Sequence, residues 1–163
     1  MPPFYMTRQS LQRLKEKAEV IQHRLKTEVA QELARASGYK DLRENAEWDA
    51  ALELQSSLKH EASEIIRKIN NVELIETLPI TGDRVTIGTQ IKIFDVDQDT
   101  ELNYKILGEE ESDLANGVIS ASAPLTRGLM QKEEGDEVTV QLPGGKRTFE
   151  ILSIEKIDFF RKI

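Results

Sequence analysis

The chain has 163 residues, of which 39% are hydrophobic and 31% are charged, a balance typical of one or two small globular domains. Its net charge of -7 disfavours general binding to nucleic acid, and the absence of Cys excludes disulfides and thiolate metal sites. No run approaches the roughly 20 apolar residues that cross a bilayer, and the first residues lack the apolar segment of a secretion signal, so we expect a cytoplasmic protein without a membrane partner.

Two helical patterns fill the first half of the chain. Apolar residues recur every three or four positions over 11–36 and again over 51–72, no Pro interrupts either stretch, and Thr7 is a candidate N-cap. When the chain is folded about residues 39–41, these pairs lie opposite each other: Leu11 and Ile69, Ala18 and Ala62, Leu25 and Leu54. We therefore predict an antiparallel coiled-coil hairpin over residues 1–77, with arms of about 45 Å at 1.5 Å per residue.

Strand patterns dominate the second half, after a short linker, LPITGD, at 78–83. PGG at 143–145 marks a hairpin turn, and PLTRGLMQ at 124–131 predicts a short helix with its Pro in the first turn. Alternating β-branched and aromatic residues predict strands at 90–96, 102–107, 137–142 and 147–157. Residues 78–163 are therefore predicted to form a small α+β domain with a twisted antiparallel sheet and one helix.

An acidic tip joins the two predicted arms, at residues 38–47. Asp41 suits the N-cap of the second helix and Glu44 its third position, a capping arrangement in which each carboxylate contributes about 0.5–1 kcal/mol. Carboxylates three residues apart also share one helix face, with Cβ atoms about 5–6 Å apart, near enough to bind one hard cation. Mg²⁺ requires more oxygen ligands than this pair offers, so another molecule would have to supply the rest. Both interpretations stay open.

Three basic residues lie in or near the tip: Arg35, Lys40 and Arg43. They either attract RNA phosphates or form an ordinary solvated helix face. The acidic residues at 95–101 and 109–111 allow a similar pair of interpretations, since they either complement a basic partner surface or aid solubility. Composition alone does not decide between these alternatives.

These motifs resemble those of the Gre family of bacterial transcript cleavage factors. The family's opening MTxxGxxxLxxEL is matched by MTRQSLQRL at 6–14, and its tip motif GDLxENAEYxAA by DLRENAEWDAA at 41–51. In the second half, the family pattern is matched by GEEESDLANGVISASAPLTRGLMQKEEGDEV at 108–138 and by LPGGKRTFEILSI at 142–154. The resemblance covers essentially the whole chain, so the sequence is identified as a member of this family.

The resemblance implies a non-enzymatic factor of bacterial transcription. Its C-terminal domain is expected to be FKBP-like and to dock at the rim of the RNA polymerase secondary channel, while the coiled coil enters the channel. Asp41 and Glu44 match the acidic pair that the family donates in trans to the polymerase active site, where they help to hold a shared Mg²⁺. The free protein is expected to be monomeric and to bind no Mg²⁺ stably, and the substrate would be the RNA 3′ end in a backtracked complex.

Two departures from the family pattern bear on these roles. The family's Gly before the tip Asp is Lys40, and the Ser of its Ser-Pro motif is Ala123, which leaves Ser120, Ser122 and Pro124 as candidate docking residues. Lys40 keeps open the alternative of a channel-binding inhibitor that does not stimulate cleavage. A further alternative is a coiled-coil adaptor or chaperone with an FKBP-like domain, although few aromatic residues remain to line a proline pocket.

Overall fold

The computed structural model describes residues 2–38 and 42–160, with the backbone alone for 42–45. The chain forms a helical unit, Leu11–Asn71, and a sheet unit that combines Met1–Ser10 with Val72–Ile163. This division differs from the predicted boundary at residue 77. Strand β1 (Phe4–Met6) pairs in parallel with β2 (Val72–Leu74), and this pairing places both ends of the predicted hairpin in the sheet unit.

Over its described residues, the helical unit contains three helices: α1 (Arg8–Lys26, whose first residues belong to the sheet unit), α2 (Glu28–Ala36) and α3 (Leu42–Asn70). The first arm was predicted as one unbroken helix, and that prediction is wrong at Thr27. The backbone there has φ -110° and ψ -85°, outside the helical region, and the Thr27 hydroxyl donates a hydrogen bond to the His23 carbonyl at 2.8 Å. A hydroxyl bonded to the carbonyl four residues back is a known cause of helix bending.

The predicted antiparallel hairpin itself is confirmed. An ion pair between Lys17 and Glu61, 3.0 Å apart, joins the arms beside the predicted pair Ala18 and Ala62. Both charged groups are half-exposed, so the pair indicates the register more than it stabilises the hairpin. The buried apolar stripe between the arms, which we call the seam, contains Leu14, Ile21, Val29, Ala36, Ala51, Leu58, Ala62 and Ile65.

Among the described helices, none is both long and apolar enough to cross a membrane.

A five-stranded sheet forms the centre of the sheet unit, in the order β5-β4-β3-β7-β6. The strands are β3 (Thr89–Asp95), β4 (Thr100–Leu107), β5 (Val118–Ser120), β6 (Glu137–Leu142) and β7 (Gly145–Lys156). The four predicted strands and their antiparallel pairing are confirmed, whereas β5 was not predicted and pairs with β4 in parallel. A parallel neighbour requires a crossover connection, which residues 108–117 supply.

Helix α4 (Pro124–Leu129), predicted from the Pro in its first turn, packs against β6. Its Leu129 is fully buried among side chains that alternate inward from the strands, including Ile93, Phe149 and Ile151. Burying an aliphatic or aromatic side chain of this size contributes about 1.5–3 kcal/mol. Packing of α4 onto the core therefore fixes the turn between β5 and α4, which carries the candidate docking residues.

The start of α1 is capped by residues both near and far in sequence. The Ser10 amide donates to the Thr7 hydroxyl at 3.2 Å, which confirms Thr7 as the N-cap. Helix α1 has no acidic residue in its first turn, but Glu111 accepts from the Thr7 amide at 2.7 Å and Glu76 from the Arg8 amide at 2.9 Å. These remote carboxylates satisfy free amide groups and place negative charge at the positive end of the helix dipole.

Replacing Thr7 with Ala is expected to lower the free energy of unfolding by about 1 kcal/mol, because the first turn loses its capping oxygen. Thr7→Ser keeps that oxygen and serves as the matched control, with a loss of at most a few tenths of a kcal/mol. Urea denaturation of the two variants and the wild type measures the difference. Equal stability of the Ala and Ser variants would show that the hydroxyl does not cap the helix.

Candidate functional site

The described residues lead up to the tip from both sides. Helix α2 ends at Ala36, and Ser37 closes it in a helical conformation, its amide donating to the Leu33 carbonyl at 3.0 Å. Helix α3 begins at Leu42, where the sequence predicted a helix start. The two arms are therefore connected through residues 39–41, which lie outside the described residues.

Most of the predicted tip residues fall outside what the structure describes. Lys40 and Asp41 are not described, and Arg43 and Glu44 belong to α3 by their backbone, with side chains outside the described set. Arg35 is exposed in the last turn of α2. Capping and metal binding by Asp41 and Glu44 therefore stay predictions, as does RNA contact by the three basic residues.

Two carboxyl groups on the surface of the described part of the chain have a lowered pKa. A hydrogen bond from Arg67, together with its positive charge, lowers the pKa of Glu64 on α3. A hydrogen bond from the Thr81 hydroxyl lowers the pKa of Asp83 in the sheet unit. Among the described residues, no group of three or more His, Asp or Glu side chains is arranged to hold a metal ion.

The candidate docking residues lie in residues 120–124, which we call the β5–α4 turn. The Ser120 and Ser122 hydroxyls lie 2.8 Å apart, and the Ser122 amide donates to the Ser120 hydroxyl at 3.2 Å. The Ser122 hydroxyl also donates to a carboxylate oxygen of Glu109 at 2.9 Å. Ser120 is buried, whereas Ser122 and Pro124 are exposed, so the turn presents one hydroxyl and one proline ring to solvent.

Another hydrogen bond holds the β5–α4 turn at Ala123, where the family pattern has a Ser. This residue is the N-cap of α4 and makes no side-chain capping bond, so the turn lacks an interaction worth about 1 kcal/mol that a Ser would offer. The buried Thr126 hydroxyl donates to the Ser120 carbonyl at 2.8 Å and holds the turn from within the helix. The sequence analysis did not identify the roles of Thr126 and Glu109. An acidic run does not reveal which of its carboxylates accepts a hydrogen bond from a hydroxyl, and a Thr in a short helix does not reveal which carbonyl its hydroxyl binds.

Two carboxylates of the acidic run at 95–101 are structural. Asp95 is fully buried, pairs with Arg147 and accepts from the Asp97 amide at 3.0 Å. Asp97 in turn accepts from the Thr148 amide at 2.7 Å, which ties the β3–β4 turn to β7. These two side chains therefore stabilise the sheet unit, a role that neither interpretation of the run considered.

Two family models match the chain, one in each half. Residues 4–74 match the model described as "Transcription elongation factor, N-terminal", and residues 80–156 match "Transcription elongation factor, GreA/GreB, C-term". The first match covers β1, the three helices and β2, and the second covers the five-stranded sheet and α4. The two halves of the chain therefore match, in order, the N-terminal and C-terminal models of transcription elongation factors.

Whole-chain relatives agree with these matches. Transcription elongation factor GreA of Halorhodospira halophila is 35% identical over 91% of this chain and 95% of the relative, and GreA of Desulfotalea psychrophila is 41% identical over 83% of each. The crystal structure of GreA factor homolog 1 of Thermus thermophilus matches 94% of this chain and 99% of that chain, with 20% identity and a TM-score of 0.40. On the sequence matches, this chain belongs to the GreA/GreB family of transcription elongation factors.

Proposed function

We propose that this elongation factor binds bacterial RNA polymerase, inserts its helical hairpin into the secondary channel and stimulates the polymerase's own cleavage of RNA. The substrate is the RNA 3′ end in a backtracked, arrested complex. The antiparallel hairpin is the observation that supports this proposal most directly, because two paired helices form a narrow element. In the sequence, the DLREN motif stands where the first arm gives way to the second. Family membership supports the same function.

The tip contributes carboxylate oxygens to a site that polymerase completes. Asp41 and Glu44 offer the ligand type that Mg²⁺ prefers, and as a pair they leave coordination positions for groups from polymerase and RNA. When bound between the two proteins, this shared Mg²⁺ would activate a water and stabilise charge on the attacking and leaving oxygens. Arg35, Lys40 and Arg43 bring positive charge close to the RNA phosphates.

The sheet unit docks at the channel rim through the β5–α4 turn. Ser122 and Pro124 are its exposed members, and Ser122 is held by hydrogen bonds to the Ser120 hydroxyl and to Glu109. A hydroxyl fixed in this way has lost part of its rotational freedom before binding, which reduces the entropic cost of a contact with polymerase. Docking and tip chemistry are therefore expected to respond to different mutations.

Ser122→Ala is expected to weaken binding to core polymerase about fivefold, the effect of losing one hydrogen bond of about 1 kcal/mol. The cleavage rate at saturating factor should not change, because the tip is intact. Ser112→Ala is the matched control and should bind like the wild type, because Ser112 is an exposed serine at the end of the 3₁₀ turn Glu109–Glu111, outside the β5–α4 turn. A Ser122→Ala variant with wild-type affinity would place the docking contact elsewhere.

A single assay tests the proposed function. Purified polymerase is stalled in a backtracked state and incubated with the wild-type protein and Mg²⁺, and short RNA fragments from the 3′ end are separated on a gel. Fragments that depend on the protein support the proposal. Binding without fragments would instead favour the channel inhibitor that Lys40 keeps open, and the absence of binding would favour the adaptor or chaperone.

A further inference from the structure

The two arms of the hairpin approach each other more closely on the tip side of Thr27. Over the described residues, α2 and α3 have many pairs of Cα atoms within 8 Å of each other, whereas α1 and α3, although α1 is the longer helix, have few or none. The buried seam is also smaller there: on the tip side of Thr27 two of its three residues are Ala (Val29, Ala36 and Ala51), whereas on the other side one of five is (Leu14, Ile21, Leu58, Ala62 and Ile65). Interaxial distances of helix pairs range over about 8–10 Å with the size of the side chains between them.

The change of direction coincides with a specific bond of Thr27. The His23 carbonyl accepts both the Thr27 amide at 3.0 Å and the Thr27 hydroxyl at 2.8 Å. Helical bonding then restarts, with the Gln31 amide donating to the Thr27 carbonyl at 2.9 Å. An ion pair between Arg24 and Glu28 at 3.3 Å spans the break, but both side chains are exposed and the pair contributes little. The hydroxyl is therefore the feature that accounts for the interruption.

We propose that Thr27 is a positioning residue for the tip. Its hydroxyl bends the first arm toward α3, the small seam residues beyond the bend accept the closer approach, and the arms converge before they reach the tip at 38–47. Arms that converge form a narrower hairpin than arms that stay parallel. One side chain, Thr27, sets the direction of the first arm beyond the bend. This inference rests on the proposed function, because the direction of the tip matters only if the tip is delivered to an active site.

Two substitutions separate the hydroxyl from the shape of the side chain. Thr27→Val keeps the branched shape and removes the hydroxyl, and Thr27→Ser, the matched control, keeps the hydroxyl. In the Val variant, the helical bonds across the break are expected to form, so NMR should show the amides of 28–30 exchanging with solvent roughly fivefold more slowly. The Ser variant should exchange like the wild type.

Spin-label distances test the convergence directly. The chain has no Cys, so pairs of introduced cysteines are labelled uniquely. Thr27→Val is expected to shift the distance across the distal pair by about 1–2 Å, the range that helix pairs span, and to leave the proximal pair unchanged. All four label sites are exposed: Gln31→Cys with Asp49→Cys is the distal pair, and Gln22→Cys with Ser57→Cys is the proximal pair.

Cleavage of backtracked RNA is the readout that a merely structural role would not move. At saturating protein, Thr27→Val should cleave several-fold more slowly than the wild type and Thr27→Ser, with unchanged affinity for polymerase. Wild-type exchange and distances in the Val variant would overturn the assigned cause of the bend, and a straightened variant that cleaves normally would overturn the positioning role. If the wild type yields no fragments, the proposed function fails and the positioning role with it, while exchange and distances still decide whether the hydroxyl makes the bend.

Discussion

Replacing both tip carboxylates, as Asp41→Asn with Glu44→Gln, is expected to reduce cleavage of backtracked RNA by about 100-fold or more. The two amides keep the size of the side chains and part of their hydrogen bonding, but they lose the negative charge that a hard cation requires. Affinity for core polymerase should stay within about twofold of the wild type, since the proposed docking contacts lie in the sheet unit. Gel analysis of fragments, with a separate binding titration, measures the two quantities.

The same variant separates the metal-ligand role from the capping role. Asn caps a helix about as well as Asp does, so the stability of the hairpin should change little even if Asp41 is an N-cap. Loss of cleavage without loss of stability therefore points to a ligand. Glu47→Gln, which removes an exposed carboxylate from the same end of α3, is the matched control and should cleave normally. Comparable cleavage by the double variant and this control would refute delivery of the carboxylates.

Local patterns carried most of the helical prediction. Apolar residues at every third or fourth position mark one face of a helix whatever its partner, so the seam and its register could be derived from 11–36 and 51–72 alone. The break at Thr27 could not, because the periodic stripe continues through it from Ile21 to Val29. Only the bond between the Thr27 hydroxyl and a carbonyl one turn back distinguishes this Thr from one on an unbroken helix.

Contacts between distant residues explain the elements that the sequence did not reveal. Strands β1 and β2 have three residues each, too few for an alternating pattern, and they pair across almost the whole helical unit. Glu76 and Glu111 reach the start of α1 from 68 and 104 positions away. Nothing in the local sequence distinguishes these two carboxylates from the other acidic residues of the chain.

For the candidate site, too, the sequence identified the residues of the motifs and missed the contacts between distant residues. The identity of Asp41 and Glu44 as candidates came from their spacing and from the family resemblance, and their side chains lie outside the described residues. The β5–α4 turn shows what a resemblance leaves out. Ala123 removes the capping hydroxyl of the family pattern, and the bonds that hold the turn come instead from Thr126 and Glu109, which no motif singles out.

Gly108→Ala is expected to be the most damaging small substitution in the sheet unit, with a loss of about 3 kcal/mol or more. Backbone strain is not the reason, since Gly108 has φ -80° and ψ 176°, which any residue adopts. A Cβ at this position would overlap the Tyr5 carbonyl oxygen and lie 2.9 Å from a carboxylate oxygen of Glu111. The first obstacle is backbone in β1, which cannot rotate away as a side chain can.

Thermal unfolding should show the loss as a fall in Tm of about 10 °C or more for a unit of this size. Gly144→Ala, in the β6–β7 turn, is the matched control, because a Cβ there meets nothing within 4 Å. The Gly108 amide also donates to Glu111 at 3.0 Å, and Glu111 caps Thr7, so displacement of this segment would disturb the start of α1 as well. A Gly108→Ala variant as stable as the control would mean that β1 can shift without cost, and the clamp of remote carboxylates on α1 would then contribute little to the fold.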